Sequence, residues 1–308
     1  MQTTSKPNKR ARKKSFGEPW YWGVLLISPW LVGLLTFKLV PIIASLVLSF
    51  TNFFLLEPKQ TQFIGLANYV AVFNDADAKA ILLRTINLAL LIIPTQVIAS
   101  ILVAGILSSK KLLAKNTIRA LFFLPSIIPS VAAVFMWQGF VNPSTGWLNR
   151  LILDPLGLGA LNRLSGRDAN QALFILSTLW MLGPGMLIIA GSMQGIAPEI
   201  HEAAKIDGAG RIRRFFAITL PLITPAIFFT IILNLTSVFG GAILLDRGHT
   251  FNSDVSSYDN YIYFVLFRLF KLGRASSLAW TFFAFVMGIV MALFLTAKYW
   301  VYFPDQEQ

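Results

Sequence analysis

The stretch EAAKIDGAGRIRRFFAITLP, residues 202–221, places a cluster of charges between two long apolar segments of the chain. Six charged residues fall within 202–214, whereas residues 169–198 before them and 215–245 after them contain no Asp, Glu, Lys or Arg. Each uncharged run is longer than the ~20 residues that a helix needs to cross the ~30 Å hydrocarbon layer of a membrane. The quoted stretch therefore indicates a short polar link between two membrane-spanning helices.

The same pattern of long uncharged runs continues along the rest of the chain. Such runs cover 85–109, 120–149 and 275–297, and a sixth apolar run, 19–56, contains the single charge of Lys38. Of the 308 residues, 56% are hydrophobic and 13% are charged, against about 25% charged in ordinary soluble domains. We predict an all-α polytopic membrane protein. Its single domain, 20–308, would hold six transmembrane helices at about 21–50, 85–108, 118–140, 170–192, 216–244 and 276–302, after a basic tail, 1–19, that we expect to be disordered.

The distribution of Lys and Arg predicts how the chain is oriented in the membrane. Residues 1–19, 110–119 and 199–214 hold 14 Lys and Arg in 45 residues, whereas the alternate loops 57–84, 150–168 and 246–274 hold 10 in 76. Because cytoplasmic loops carry the excess of basic residues, the first three segments and both termini are predicted to be cytoplasmic. The basic residues behind the net charge of +12 are then explained by the orientation of the chain and by some attraction to anionic lipid. We expect no nucleic-acid partner.

The sequence contains few residues that could catalyse a reaction or couple transport to an energy source. Its two histidines, His201 and His249, fall on opposite sides of the membrane in this topology, and no metalloprotease, P-loop or serine-hydrolase motif is present. Coupling to protons or sodium would need ionisable groups at membrane depth, and the spans carry no acid. We therefore predict a transport subunit that is not an enzyme, binds no metal or cofactor itself, and takes energy from a partner.

The residues around the quoted stretch predict a short, angled helix. Pro198 suits a first helical position, and Glu199 and Glu202 complement the positive end of the helix dipole. A small-residue face at spacing i, i+3, i+4, i+7 follows, formed by Ile200, Ala203, Ala204 and Asp207. Gly208 and Gly210 then permit a sharp reversal, and Pro221 and Pro225 are expected to bend the start of the fifth span.

Specific spacing links this stretch to a known family. Glu202-Ala203-Ala204, three residues, Gly208, nine residues and Ile218-x-Leu220-Pro221 resemble the EAA loop of ABC-importer membrane subunits. The wider sequence 186–225, together with FIGLANYVAVFND at 63–75, Trp180, Gly183 and GRASSLAW at 273–280, resembles the sugar and glycerol-3-phosphate branch, the maltose-type permeases. The similarity extends from the first outer loop to the sixth span.

The resemblance implies the type I importer permease fold and a defined assembly in a bacterial or archaeal cytoplasmic membrane. Two permease chains, usually different, pair with each other and with two ATP-binding subunits that hold ATP and Mg, and an extracytoplasmic solute-binding protein delivers the solute. The EAA loop is then the coupling helix that fits a cleft of the ATPase. Its expected contact residues are Glu202, Ala203, Ala204, Asp207, Gly208, Ala209 and Arg211.

A possible solute path is indicated by a helix-breaking sequence and a polar cluster. Gly183-Pro184-Gly185 falls near the middle of span 4, where an interrupted helix is tolerated if it is buried or lines a cavity. Trp180 offers an apolar face to a sugar ring, although it equally fits packing against lipid or a helix. Asn234, Thr236 and Ser237 bring hydrogen-bonding groups to span 5, although Asn234 also fits an interhelical bond. Asn234, Ser237 and Phe239 are assigned to the path.

These observations favour the permease subunit of an ATP-driven importer for a sugar, oligosaccharide or related polyol, with this chain forming half of the translocation path. The alternative from another class is an energy-independent channel or facilitator, and a membrane scaffold ranks third. Dependence of uptake on ATP and on a binding protein separates the first two, and any measurable solute flux excludes the scaffold.

Overall fold

The computed structural model describes residues 20–109, 112–140, 142, 145–157, 179–180, 182–240 and 257–302. The tail 1–19, the first part of predicted span 4 (170–178) and the end of predicted span 5 (241–244) lie outside these residues. Apart from an isolated antiparallel bridge between Thr51 and Phe63, the described part of the chain contains no β-structure. The predicted all-α class is therefore confirmed.

The described helices are numbered here in chain order. They are α1 (Trp20–Leu34), α2 (Val40–Ser49), α3 (Ala67–Asn74), α4 (Ala76–Leu107), α5 (Lys115–Phe123), α6 (Ser130–Phe140), α7 (Gly183–Gln194), α8 (Pro198–Ile206), α9 (Arg211–Leu222), α10 (Thr224–Phe239), α11 (Tyr258–Phe267) and α12 (Leu272–Trp300). A π-helical turn, Leu35–Leu39, joins α1 to α2, and another, Phe215–Thr219, lies within α9.

Among the described residues, three helical segments are long and apolar enough to cross a membrane. They are Tyr21–Ser49, which comprises α1 and α2, together with α4 and α12. A fourth span results if α9 and α10, which meet at an angle of 65°, are counted as one bent helix. Predicted span 4 is described as a helix only from Gly183 onward, where α7 begins.

The helix of predicted span 2 begins nine residues before the predicted Thr85. The Asp75 carboxylate accepts hydrogen bonds from the backbone N–H groups of Asp77 and Ala78, which are two of the unsatisfied donors at the start of α4. Because the first turns of α4 contain charged residues, the uncharged run begins after the helix does, and it does not predict the first residue of α4. At 32 residues, α4 is longer than the ~20 residues that the hydrocarbon layer requires.

Predicted span 3, 118–140, is interrupted, which corrects the expectation of one helix. The chain is helical in α5, tightens into a 3₁₀ turn at Leu124–Ile127, and becomes helical again only at Ser130 in α6. Ile128 between them is extended, with φ −69° and ψ 127°, because the residue before a proline, here Pro129, avoids the α region. Pro125 lies in the preceding 3₁₀ turn and has no N–H group to donate.

The predicted bend at the start of span 5 is present at Ile223. This residue, with φ −93° and ψ 2°, separates α9 from α10, and Pro225 occupies the first turn of α10, where its missing N–H costs no bond. The Thr224 hydroxyl donates to the Pro221 carbonyl at 2.6 Å, which satisfies one of the carbonyl groups at the end of α9. The bend therefore has local causes in two prolines and one hydroxyl.

The helices enclose two apolar cores, one along each half of α4. The first half of α4 packs with α10, α11 and α12, and the second half packs with α7 and the α9–α10 bend. In the second core, a Cβ added to Gly185 would lie 2.9 Å from Thr230 Cγ2 and 3.1 Å from Ser100 Oγ. Small residues thus let α4, α7 and α10 approach closely, as helix association within a membrane requires.

Candidate functional site

The helix α8 contains the EAA sequence and has a defined end at each terminus. Pro198 is in its first turn, and Glu199 is an acidic residue in that turn, both as predicted. At the other end the Gly208 N–H donates to the Lys205 carbonyl at 3.0 Å, and the Ala209 N–H donates to the Ala204 carbonyl at 2.9 Å. These two bonds form a Schellman motif, which satisfies carbonyls that the helix end leaves free.

The Schellman motif gives a physical reason for the spacing of the EAA sequence. In this motif the left-handed residue lies four positions after the residue whose carbonyl accepts the longer-range bond, which here comes from the Ala209 N–H. Ala204 and Gly208 have this separation. Gly208 has φ +77°, a conformation in which only glycine is free of strain. Gly210 differs, because its φ of −64° is open to any residue. Of the two glycines predicted to permit the reversal, only Gly208 needs to be glycine.

The coupling-helix candidate has almost no packing within its own chain. No residue of α8 is buried, and Ile200 and Ile206 are 42% and 87% exposed although both are large and apolar. Ala204 and Ala209 are half-buried, whereas Ala203 is exposed. An isolated helix shorter than ~12 residues is marginal in water, so the nine residues of α8 need either their caps or another surface for stability.

The charged residues of the EAA loop are exposed and available to a partner. Glu202, Asp207 and Arg211 lie on the surface, and within the described part of the chain no side-chain hydrogen bond or ion pair reaches any of them. The contact that the resemblance implies for Glu202 is therefore not made by the described residues of this chain. It stays a prediction for a partner surface.

One contact that the sequence did not indicate holds α8 to the base of the fifth span. The Arg214 Nη1 donates to the His201 carbonyl at 3.4 Å, while the Arg214 Nε is buried without a hydrogen-bond partner. Arg214 is half-buried, in contrast to the exposed Arg213. In the sequence these arginines form one basic cluster, and no local signal distinguishes the one that turns inward.

The residues assigned to the solute path near span 4 have different environments. Trp180 lies in a turn shortly before α7 and is 42% exposed. Gly183 is buried as the first residue of α7, where a Cβ would lie 2.6 Å from the Phe122 carbonyl oxygen and 2.8 Å from Phe123 Cα. The break that the sequence predicted at Gly183-Pro184-Gly185 is therefore the start of a helix. Gly183 also permits the backbones of α7 and α5 to approach closely.

The three path residues assigned to span 5 lie on two sides of α10. Asn234 is half-buried with its side-chain Nδ2 buried and without a hydrogen-bond partner, and Ser237, one turn later, is exposed. Phe239 is buried instead and packs edge-on against Phe282 and Phe285, with ring centroids 5.7 and 6.4 Å away. Phe239 thus lies in the apolar core, away from the side of α10 that presents Asn234 and Ser237.

Comparison with known proteins identifies the family of this chain. Residues 64–302 match the model of the family described as "Binding-protein-dependent transport system inner membrane component". The chain is 34% identical over 296 residues to the probable ABC transporter permease protein YesP of Bacillus subtilis (strain 168), covering 93% of each chain. It is 26% identical over 226 residues to the arabinooligosaccharides transport system permease protein AraP of the same organism, covering 73% of this chain and 70% of AraP.

A solved structure matches the fold over nearly the whole chain. This is the crystal structure of a bacterial ABC transporter involved in the import of the acidic polysaccharide alginate, with a TM-score of 0.72 at 20% identity. The match covers 91% of this chain and 95% of that one, and it confirms the predicted permease fold. On its helices, its EAA loop and these similarities, the chain belongs to the binding-protein-dependent transport system inner membrane components and is a transport subunit of an ABC transporter, not an enzyme.

Proposed function

We propose that this chain forms half of the translocation path of an ATP-driven importer for a sugar, oligosaccharide or related polyol, with α8 as its coupling helix. The observation that carries the proposal is a capped helix with exposed apolar side chains and no buried residue, held between two apolar segments. A partner protein that covers these exposed side chains would add to the stability that the caps give α8. Because the chain has no nucleotide-binding motif, that protein would also supply the energy.

The proposed assembly contains a second, different permease chain, two ATP-binding subunits and an extracytoplasmic solute-binding protein. ATP and Mg would be bound by the ATP-binding subunits, and a cleft on one of them would hold α8 and the turn after it. The contact surface would comprise Glu202, Ala203, Ala204, Asp207, Gly208, Ala209 and Arg211. Exposed Ile206 adds an apolar anchor at the end of the helix, since buried aliphatic side chains support interfaces through the area that they remove from water.

The carbohydrate class rests on two kinds of support. Among the proteins similar to this chain, AraP is named for arabinooligosaccharides, and the structural neighbour imports alginate. In the chain itself, the partly exposed ring of Trp180 could stack on a sugar, and Asn234 and Ser237 could bind hydroxyl groups, which is how carbohydrate sites combine apolar faces with a few polar groups. Gly183 would shape the path by allowing close helix packing.

The proposed orientation places both termini and α8 in the cytoplasm. Its test uses single introduced cysteines, because the native chain has none, and a membrane-impermeant thiol reagent applied to intact cells. A cysteine at Lys205 should be protected until the membrane is opened, and a cysteine at Lys59 should react at once. Strong labelling of position 205 from outside would contradict the orientation.

The deciding experiment reconstitutes the complete complex in liposomes and measures ATP hydrolysis and uptake from a panel of labelled sugars. We expect the solute-binding protein loaded with its sugar to stimulate ATP hydrolysis, and we expect uptake to require both this protein and ATP. Solute flux without ATP would favour a facilitator and contradict the proposal. Asn234→Ala should lower uptake, whereas Thr236→Ala should not, because the Thr236 hydroxyl is exposed and bonds only to its own helix at the Leu233 carbonyl.

A further inference from the structure

The Asp75 carboxylate is the centre of a charged contact on the opposite half of α4 from α8. Its Oδ2 atom accepts a hydrogen bond from the Tyr261 hydroxyl at 2.8 Å and forms an ion pair with Arg274 at 2.5 Å. The side chain of Asp75 is 9% exposed and that of Arg274 is 31% exposed. The chain thus contains a partly buried charge pair, although only 13% of its residues are charged.

Each of the three side chains belongs to a different helix. Asp75 caps α4, Tyr261 is in the first turns of α11, and Arg274 is in the first turn of α12. A second bond supports the first, since the Tyr258 N–H donates to the buried Thr85 hydroxyl of α4 at 3.0 Å. The first turn of α11 is therefore bonded to α4 at two residues, Asp75 and Thr85, which are ten positions apart.

The three helices differ in their main neighbours. α4 packs mainly on α7 and α10, and these helices are called the α4 group; three residues join α7 to α8. α12 packs mainly on α2, α3 and α11. Because α11 and α12 also pack on the first half of α4 in the first apolar core, the pair of Asp75 and Arg274 adds a charged contact to an apolar interface.

The charge states of the contact are stable near neutral pH. Burial acts to raise the pKa of Asp75, but hydrogen bonds from Tyr261 and the Ala78 N–H, together with Arg274, leave that pKa below its ordinary value of 3.8. Burial and the neighbouring carboxylate raise the pKa of Tyr261 to about 12, so its hydroxyl remains a donor. The other titratable groups acting on this cluster are Asp77 and Tyr258.

We propose that Asp75, Tyr261 and Arg274 form an outer joint, which positions α11 and the start of α12 against α4 so that movement of the α4 group is transmitted to them. Because α7 packs along α4 and continues into α8, a displacement of α8 moves α4, and the joint passes it to α11. This inference rests on the proposed function for the source of the movement. The three residues are positioning residues and have no contact with solute in the proposal.

The joint can be weakened without damaging the start of α4. Asp75→Asn removes the charge, but asparagine is as good a helix cap as aspartate, so the bonds to the backbone of α4 can persist. Arg274→Gln removes the other charge, and Arg274→Lys keeps it. Asp77→Asn is the matched control, because Asp77 is an exposed acid two residues away with no side-chain partner among the described residues.

The first measurement concerns the geometry of the chain in lipid nanodiscs and does not depend on transport. Nitroxide labels at Lys79→Cys on α4 and Phe264→Cys on α11, both exposed positions, report the distance between the two helices by EPR. We expect one narrow distance with the native joint and with Asp77→Asn, and a broader distribution with Asp75→Asn or Arg274→Gln. An unchanged narrow distance in both of these variants would refute the joint.

The second measurement compares ATP hydrolysis by the complete complex with and without solute-loaded binding protein. Asp75→Asn and Arg274→Gln should each lower the stimulation by roughly threefold, as expected for loss of a partly exposed ion pair, while unstimulated hydrolysis persists. The double variant should be no worse than either single one, because the two groups act as a pair, and Arg274→Lys should restore part of the stimulation. Equal stimulation in all variants would contradict the joint, whereas absence of stimulation in the native complex would contradict the proposed function instead.

Discussion

Replacing Gly208 tests whether the turn after α8 must be left-handed for coupling. At φ +77° a residue with a Cβ is strained by roughly 1–2 kcal/mol, and a β-branched residue by up to about 3 kcal/mol. No atom lies within 4 Å of a Cβ built on Gly208, so the cost comes from the backbone alone. A penalty of about 1–2 kcal/mol lowers the population of the capped turn about 5- to 30-fold.

The expected order of stability for the turn is Gly, Asn, Ala and then Val at position 208, because asparagine tolerates the left-handed region better than other residues with a side chain. Gly210→Ala is the matched control. Gly210 is two residues away, also has open space around its Cβ position, and has φ −64°. Alanine there should be neutral or stabilise by about 0.5 kcal/mol, since it restricts the unfolded chain without strain in the folded one.

Two assays follow the turn and its function. Hydrogen exchange of the amides at positions 208 and 209, which donate the two bonds of the Schellman motif, should accelerate in Gly208→Ala and Gly208→Val. Co-purification of the ATP-binding subunit and solute-stimulated hydrolysis should decrease in the same order. If Gly208→Val and Gly210→Ala behave alike in both assays, the turn has no role in coupling and the reasoning fails.

Three further predictions concern residues outside the turn. Gly183→Ala should destabilise the folded chain by about 1–3 kcal/mol, because the new methyl group meets backbone atoms of α5, whereas Gly191→Ala in the same helix meets no atom within 4 Å; thermal unfolding in detergent measures both. Arg214→Gln should loosen α8 and lower stimulated hydrolysis, and Arg213→Gln, which changes an exposed residue, should not; equal losses would contradict the bond to α8. The pKa of Asp75 in the folded protein lies below the ordinary value of 3.8. The charged carboxylate therefore contributes its full stabilisation at pH values above 3.8, and this stabilisation is lost as the pH falls through the folded-state pKa. The difference in thermal stability between native protein and Asp75→Asn should therefore stay constant from about pH 5 to pH 9.

The fold class and the family follow from the amino-acid sequence alone. Uncharged runs of 23 residues or more have few stable alternatives to membrane-spanning helices, because a lipid environment forces each backbone group to bond within its own helix. The EAA spacing was equally informative. A Schellman turn is local, so Ala204 and Gly208 carry its signature without help from residues distant in the chain.

The ends and interruptions of the helices were only partly predictable. Charge-free runs mark the portion inside hydrocarbon, and they miss the polar turns of α4 that begin at Ala76. The two prolines that flank Ile223 predict the bend there. The prediction of one helix over 118–140 does not include the break at Ile128, although Pro129 has the same kind of effect on the residue before it. A proline indicates a position where a helix can break, and the packing of the surrounding helices decides which prolines are tolerated within a continuous helix.

The contacts between residues that are distant in the sequence depend on how the helices pack. Gly183 was predicted as a helix break, and the approach of α5 explains in addition why no side chain fits there. Arg214 and Arg213 are adjacent and chemically identical, yet one turns toward α8 and the other toward solvent. Asp75 and Arg274 are 199 residues apart, and their pairing depends on the way α4, α11 and α12 pack together. Such pairing leaves no local periodicity in a sequence, because it arises from the three-dimensional arrangement of whole helices.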